Sequence, residues 1–317
     1  MTLQAGQGAA GPAEGAGALL PPGAGCAPAP LVGLVDWRLP CAGPAALEVA
    51  RRAGADGVQF DLGGPGRAAP LDGPGRLPAL RDGVEATGVR VLAVSANCLN
   101  DIGLLAPEGS ADAVRVRGVL ERLLDAAVEL GAGLVLVPSF RRSAIAGGYG
   151  LQRTAEVLRR AAAEAQARGL LLANENVLPP DAASALVEKV ASPAFRLLLD
   201  TYNPHLAGVR VPSLIGAVAR HLADQIHLKD GIAGTGRTPL LGDGDGEVDE
   251  TLAAVARHGL CPRALVLEND YRDGDTTRMA ADLARARRYA RALATGPAGP
   301  GAAHRGIDDN SHEKAST

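Results

Sequence analysis

Gln225-Ile226-His227-Leu228-Lys229-Asp230 decides how the chain is read. A short apolar run ends abruptly in His, Lys and Asp, as a buried strand does when its last residues open into a polar pocket. One His at a strand end is commonly a satisfied core residue. Three further runs end in the same manner, however. Leu170-Leu171-Leu172-Ala173-Asn174 leads to Glu175, Phe195-Arg196-Leu197-Leu198-Leu199 to Asp200, and Ala264-Leu265-Val266-Leu267 to Glu268. Their spacing approximates the ~30 residues per βα unit of a ~250-residue eightfold barrel.

Upstream of these runs the alternation of strand and helix continues. Strand-like segments fall at Leu31–Val35, Gly57–Phe60, Val89–Val94 and Leu134–Val137, followed later by Leu170–Ala173, Phe195–Leu199, Asp224–Leu228 and Arg263–Leu267. Helical patterns lie between them at Pro44–Ala53, Leu77–Thr87, Asp112–Leu130, Thr154–Arg168, Asp181–Val190, Ser213–His221 and Val248–His258, with a last one at Thr276–Leu293. Within Asp112–Leu130 the apolar positions Val116, Val119, Leu120, Leu123, Leu124 and Ala127 recur at helical spacing, and Gly131 closes the segment. Asp181 is placed to cap the helix that it begins. Eight alternating units predict parallel strands covered by helices and, at that number, an α/β (β/α)8 TIM barrel. No Gly-x-Gly-x-x-Gly follows the first strand, which weakens a dinucleotide-binding open sheet.

Length allows one large α/β domain with tails or two ordinary domains. The 317 residues are 47% hydrophobic but only 3% aromatic, so the core is expected to be built from Leu, Val and Ala. A net charge of −3 without a basic block argues against a nucleic-acid surface. No run approaches the ~18 apolar residues of a membrane span. Cys26, Cys41, Cys98 and Cys261 are far apart, read as four isolated thiols, and without a secretory leader they suggest a reducing, cytoplasmic setting. Residues 1–30 are rich in Gly, Ala and Pro, and residues 294–317 return to that composition before turning polar. Both are expected to be disordered tails around one catalytic domain at 31–293.

Active sites of such barrels lie at the C-terminal ends of the strands. Glu175, Asp200, His227 and Glu268 end strands five to eight and would line one arc. Three converging carboxylates repel one another unless a cation holds them, and carboxylates with one imidazole suit a single divalent ion such as Mn²⁺, Mg²⁺, Co²⁺ or Zn²⁺.

Asn174-Glu175-Asn176, Asp200-Thr201-Tyr202-Asn203, His227-Leu228-Lys229-Asp230 and Leu267-Glu268-Asn269 resemble motifs of the xylose isomerase-like sugar phosphate isomerase/epimerase family. The loop from Pro239 to Asp249 is similar to that family's Pro-Leu-Gly-x-Gly-x-Val-Asp segment, with an insertion. The resemblance covers most of residues 31–293 and implies a metal on Glu175, Asp200, His227 and Glu268, with the two glutamates also moving protons. It implies isomerisation or epimerisation of a sugar, cyclitol or related hydroxycarbonyl compound through an enediolate, with dehydration of a keto-cyclitol as the alternative. Asn203, Lys229 and Arg237 are candidate substrate-binding residues; Lys229 either steadies a developing oxyanion or pairs with Asp230. Where epimerases of free ketoses carry His three residues after the metal-binding Asp, this chain has Asn203. An AP endonuclease-like site would need further histidines, yet strands two and three end at Asp61 and Asn97. A barrel kept only for binding would not need four converging ligands. The expected partner is a small sugar-like molecule, with homo-oligomerisation left open.

Overall fold

A computed structural model describes Cys26 and residues 28–295. Eight parallel strands form a closed barrel in sequence order: β1 (Leu31–Val35), β2 (Gly57–Asp61), β3 (Arg90–Ser95), β4 (Leu134–Pro138), β5 (Leu171–Glu175), β6 (Phe195–Asp200), β7 (Leu222–Leu228) and β8 (Ala264–Leu267). Closure is made by β1 on β8, where Leu31 to Leu34 lie opposite Ala264 to Leu267. Around the barrel run α1 (Pro44–Ala53), α2 (Arg76–Thr87), α3 (Leu99–Ile102), α4 (Ala111–Glu129) and α5 (Gly147–Ala167). The ring is completed by α6 (Pro180–Val190), α7 (Asn203–Leu206), α8 (Val211–Val218), α9 (Val248–Arg257) and α10 (Thr276–Thr295).

Strand alternation explains both cores. Successive side chains point to opposite faces. Leu172, Leu197, Leu199, Ile226, Leu228, Leu265 and Leu267 therefore pack outward with the helices in the main apolar core. The intervening residues Ala173, Leu198 and Ala223, with Ala264 and Val266, fill the barrel interior in two smaller clusters. The inward rows are small or apolar low in the barrel and polar at its C-terminal rim. Two steps along the same row from Ala173, Leu198 and Val266 stand Glu175, Asp200 and Glu268. On β7 the row runs Ala223, Gln225, His227. Placing a site at the strand ends therefore leaves the apolar packing below it undisturbed.

Several boundaries differ from those expected from sequence. The helix expected to start at Thr154 starts at Gly147, since Gly147, Gly148 and Gly150 weaken the helical signal of a segment that tertiary packing nevertheless holds helical. Asp181 lies in the first turn of α6 rather than at its cap, which Pro179 occupies without a side-chain bond. The thiol reading is corrected: Cys26 and Cys261 form a disulfide, leaving Cys41 and Cys98 free. Cys26 is buried, and its amide donates to the Leu293 carbonyl at 2.9 Å. Thus the segment entering β1 is fastened beside the end of α10, at a point inside the expected N-terminal tail. A bonded pair withdraws the support that isolated thiols lend to a reducing compartment. Of the expected tails at 1–30 and 294–317, residues 1–25, 27 and 296–317 lie outside the described residues, whereas residues 294 and 295 end α10. No described helix is long and apolar enough to cross a membrane.

Candidate metal centre and its surroundings

The four strand-end residues singled out in the sequence come together. Glu175, Asp200, His227 and Glu268 are all buried, and one ligand atom from each lies within 4.8 Å of the others. Asp200 and His227 are paired neighbours across β6 and β7, so backbone register sets their proximity. His227 Nδ1 faces Glu175 Oε2 at 3.7 Å and Glu268 Oε2 at 3.6 Å.

Each ligand is oriented by contacts on its other side. Asp200 Oδ1 accepts the backbone N–H groups of Tyr202 and Asn203, which leaves Oδ2 turned away. Trp37, just beyond β1, donates its indole N–H to Glu268 Oε1 at 2.9 Å. Asn203 donates from Nδ2 to Glu175 Oε1 at 2.9 Å. His227 Nε2 lies 2.8 Å from Gln59 Oε1 on β2. Asp200 Oδ2, His227 Nδ1 and Glu268 Oε2 remain buried with no hydrogen-bond partner. Orphaned buried acceptors are costly, at about 1–3 kcal/mol each and more when charged. Here all three belong to one cluster. Oxygen and imidazole donors with no other hydrogen-bond partner suit a divalent cation, so the residues present fit the metal that the sequence implied.

Electrostatics in the cluster reflect crowding. Burial pushes Glu175 up to about 7, with Glu268 and Asp200 adding repulsion against the attraction of His227. Burial likewise raises Asp200, although Lys229 opposes it. Glu268 is also desolvated, but Lys229 and His227 outweigh burial and hold it well below the usual carboxylate range. His227 is raised: burial disfavours its cation, and the surrounding carboxylates more than compensate.

The substrate-side candidates separate. Lys229 Nζ lies 3.6 Å from Glu268 Oε2 and donates to Asn203 Oδ1 at 3.2 Å, so it faces the cluster rather than Asp230. Thr201 Oγ1 donates to the Lys229 carbonyl and accepts its N–H, tying the ends of β6 and β7 together. Arg237 is exposed on the loop after β7, away from these contacts. Arg141 and Arg142, on the β4 side, pair with Asp101 and Asp112 respectively.

Asp230 has a different task. Its Oδ1 accepts Gly231 N–H at 2.8 Å and Gly246 N–H at 3.0 Å. Its Oδ2 accepts Gly242 N–H at 2.8 Å and Gly244 N–H at 2.9 Å. Four donors on one carboxylate fold the 231–246 loop about a single point. A Cβ at Gly244 would collide with that carboxylate and with the Gly231 carbonyl, so only glycine admits this approach. Asn269, after β8, accepts the Asp230 N–H and donates to buried Asp282 of α10, which also takes the Tyr271 hydroxyl and the Leu241 N–H. The loops after β7 and β8 are thereby fixed to the outer helix beside the cluster.

Trp37, Gln59 and Gln225 were not singled out as site residues from sequence. Trp37 carried no signal beyond its place at the end of the first strand. The glutamines did carry one, as polar residues inside apolar strands, and both are fully buried.

Comparison with known proteins agrees with this geometry. Residues 47–293 match the family model described as Xylose isomerase-like TIM barrel. The chain is 54% identical over 259 residues to 2-epi-5-epi-valiolone 7-phosphate 2-epimerase of Actinoplanes sp., covering 82% of this chain and 94% of that protein. Among solved structures, a xylose isomerase domain protein from Planctomyces limnophilus superposes with a TM-score of 0.67 at 20% identity, covering 84% of this chain and 98% of that one. The IolI protein, whose structure carries a zinc atom, does so with a TM-score of 0.65 at 16% identity, over 84% and 98% of the two chains. At those identities the structures attest the fold alone.

Proposed function

The chain belongs to the xylose isomerase-like TIM barrel family and is an enzyme of isomerase or epimerase type, and from that premise we propose that it inverts a carbon beside the carbonyl of a phosphorylated hydroxyketone. The proposed substrate is 2-epi-5-epi-valiolone 7-phosphate, the compound in the Actinoplanes relative's name, with inversion at carbon 2. Nearly complete coverage of that relative supports the substrate. The observation that carries the reaction class is the convergence of Glu175 and Glu268 on one cluster, each braced by a separate neutral donor.

Inverting a carbon without breaking the skeleton requires that its proton leave one face and return on the other. An adjacent carbonyl makes this feasible, because the electron pair released from the C–H bond moves onto the carbonyl oxygen and forms an enediolate. One carboxylate takes the proton and the other carboxylic acid returns one to the opposite face, restoring the ketone. Such positioned proton transfer contributes typically ~10²–10⁴-fold. Trp37 and Asn203 hold the outer oxygens of the two glutamates, leaving Glu175 Oε2 and Glu268 Oε2 directed at the cluster. Lys229 brings a half-buried positive charge beside Glu268 and supports negative charge developing on the substrate oxygen. A single divalent ion on Glu175, Asp200, His227 and Glu268 would supply Lewis acidity toward the carbonyl and hydroxyl oxygens. Arg237, exposed on its loop, is retained as a candidate for contact with the phosphate.

The test is product analysis by NMR after incubation of the metal-supplemented protein with 2-epi-5-epi-valiolone 7-phosphate. The carbon 2 epimer is expected. A dehydrated product, or turnover only of unphosphorylated ketoses, would overturn the assignment.

A further inference from the structure

Three hydrogen bonds cross the barrel interior beneath the cluster. His227 Nε2 lies 2.8 Å from Gln59 Oε1, Gln59 Nε2 donates to Gln225 Oε1 at 2.8 Å, and Gln225 Nε2 donates to the Leu92 carbonyl at 2.7 Å. All three side chains are fully buried. We infer that Gln59 and Gln225 form a directional relay that sets the tautomer of His227 and so presents its Nδ1 lone pair to the metal.

Direction comes from the far end. The Leu92 carbonyl can only accept, so Gln225 must offer it the amide NH₂ and turn its own oxygen toward Gln59. Gln59 must then donate NH₂ to that oxygen and present its carbonyl to His227. The imidazole nitrogen there has one compatible state, which is protonated. With the proton fixed on Nε2, the neutral ring carries its lone pair on Nδ1, the buried atom that faces Glu175 and Glu268 and has no hydrogen-bond partner. Reversing Gln225 would break both of its bonds, and reversing Gln59 would set its oxygen against that of Gln225, so the far end of the chain fixes one polarity. A neutral ring bearing its proton on Nδ1 could not ligate from that atom without losing the proton. Gln225 thus positions a ligand that it does not touch.

The inference rests on the metal reading only for its consequence, because the tautomer is a property of the metal-free protein. Long-range ¹H–¹⁵N correlation spectra report it directly when the metal-free protein is kept alkaline enough for His227 to hold a single ring proton. Wild type should show His227 protonated on Nε2. In Gln225→Met, Gln59 loses the partner that orients it, and a population protonated on Nδ1 should appear. Zinc affinity, measured by competition with a chelator, should fall by ~10–100-fold, as removal of such outer contacts typically does. In Gln59→Glu combined with Gln225→Met, a carboxylate that can only accept stands beside His227, and Nε2 protonation should return. Wild type protonated on Nδ1 would overturn the relay, and so would Gln225→Met with an unchanged tautomer. Failure of the double variant to restore Nε2 protonation would overturn it too, by showing that the lost side chain acted through packing. If wild type shows Nε2 protonation yet binds no zinc, the relay stands and the metal reading falls. The wild-type spectrum decides the polarity even where a variant does not fold.

Discussion

Replacing Asp230 with Asn removes one oxygen from the point about which the 231–246 loop is folded. Oδ1 can still accept Gly231 and Gly246, but an NH₂ group now faces the N–H groups of Gly242 and Gly244. Turning the amide over exchanges which pair is lost and rescues neither. Both N–H groups bond the carboxylate in partly buried positions, and losing a hydrogen bond to a charged acceptor costs about 1–3 kcal/mol, so closing the loop should become less favourable by roughly 2–6 kcal/mol. At ~1.4 kcal/mol per factor of ten, that corresponds to about 30-fold to 10⁴-fold faster amide exchange through loop opening, up to the loop's own limit of protection. Hydrogen–deuterium exchange read peptide by peptide resolves the effect. Residues 231–246 should lose protection while peptides from β3 and β4, remote from Asp230, keep theirs. Unchanged loop exchange in a folded Asp230→Asn protein would refute the claim that this carboxylate holds the loop.

Three further outcomes are expected. Asp200→Ala should abolish stoichiometric divalent metal, measured by elemental analysis, while circular dichroism still reports a folded barrel, since Leu198 and Leu199 beneath it are untouched. Glu268→Gln should lower turnover by ~10²–10⁴-fold, since an amide cannot accept the proton, and near wild-type turnover with saturating metal would make Glu268 a ligand only. Asp36 is raised by burial from 3.8 to about 7, despite accepting the Gly43 and Asp61 N–H groups. For that sign, the stabilisation is complete below the unfolded value and is lost as pH rises through the folded one. Wild type should therefore lose on the order of 4 kcal/mol between about pH 4 and pH 7 relative to Asp36→Asn, read by urea denaturation at each pH. Parallel pH profiles for the two proteins would contradict it.

The cluster of three carboxylates and one imidazole was legible in the sequence because each member directly follows a short apolar run that marks a buried strand, and parallel strands align their ends. Glu175 after Leu-Leu-Leu-Ala-Asn and Glu268 after Ala-Leu-Val-Leu needed no tertiary knowledge beyond the count of eight. The four-residue helices α3 and α7 were not legible, because so short a segment shows no helical period. The disulfide joins residues 235 apart, and its pairing follows only once closure of the barrel sets the entry to β1 beside the entry to β8, where Cys261 lies. Trp37 acts from the end of β1 on the neighbouring β8 and the two glutamines act across the barrel, in each case on residues more than 160 positions away, which no local pattern encodes. Polarity inside Gly57-Val58-Gln59-Phe60 and Gln225-Ile226-His227 was nevertheless a signal, since a buried strand has no solvent to satisfy a glutamine.

The central claim, that Glu175 and Glu268 move a proton between the two faces of an enediolate, is tested most directly by a single turnover of 2-epi-5-epi-valiolone 7-phosphate in D₂O with the metal-supplemented protein. One deuteron at carbon 2 of the epimerised product, and none elsewhere, is the predicted result. Epimerised product that keeps its original hydrogen at carbon 2 would contradict the account.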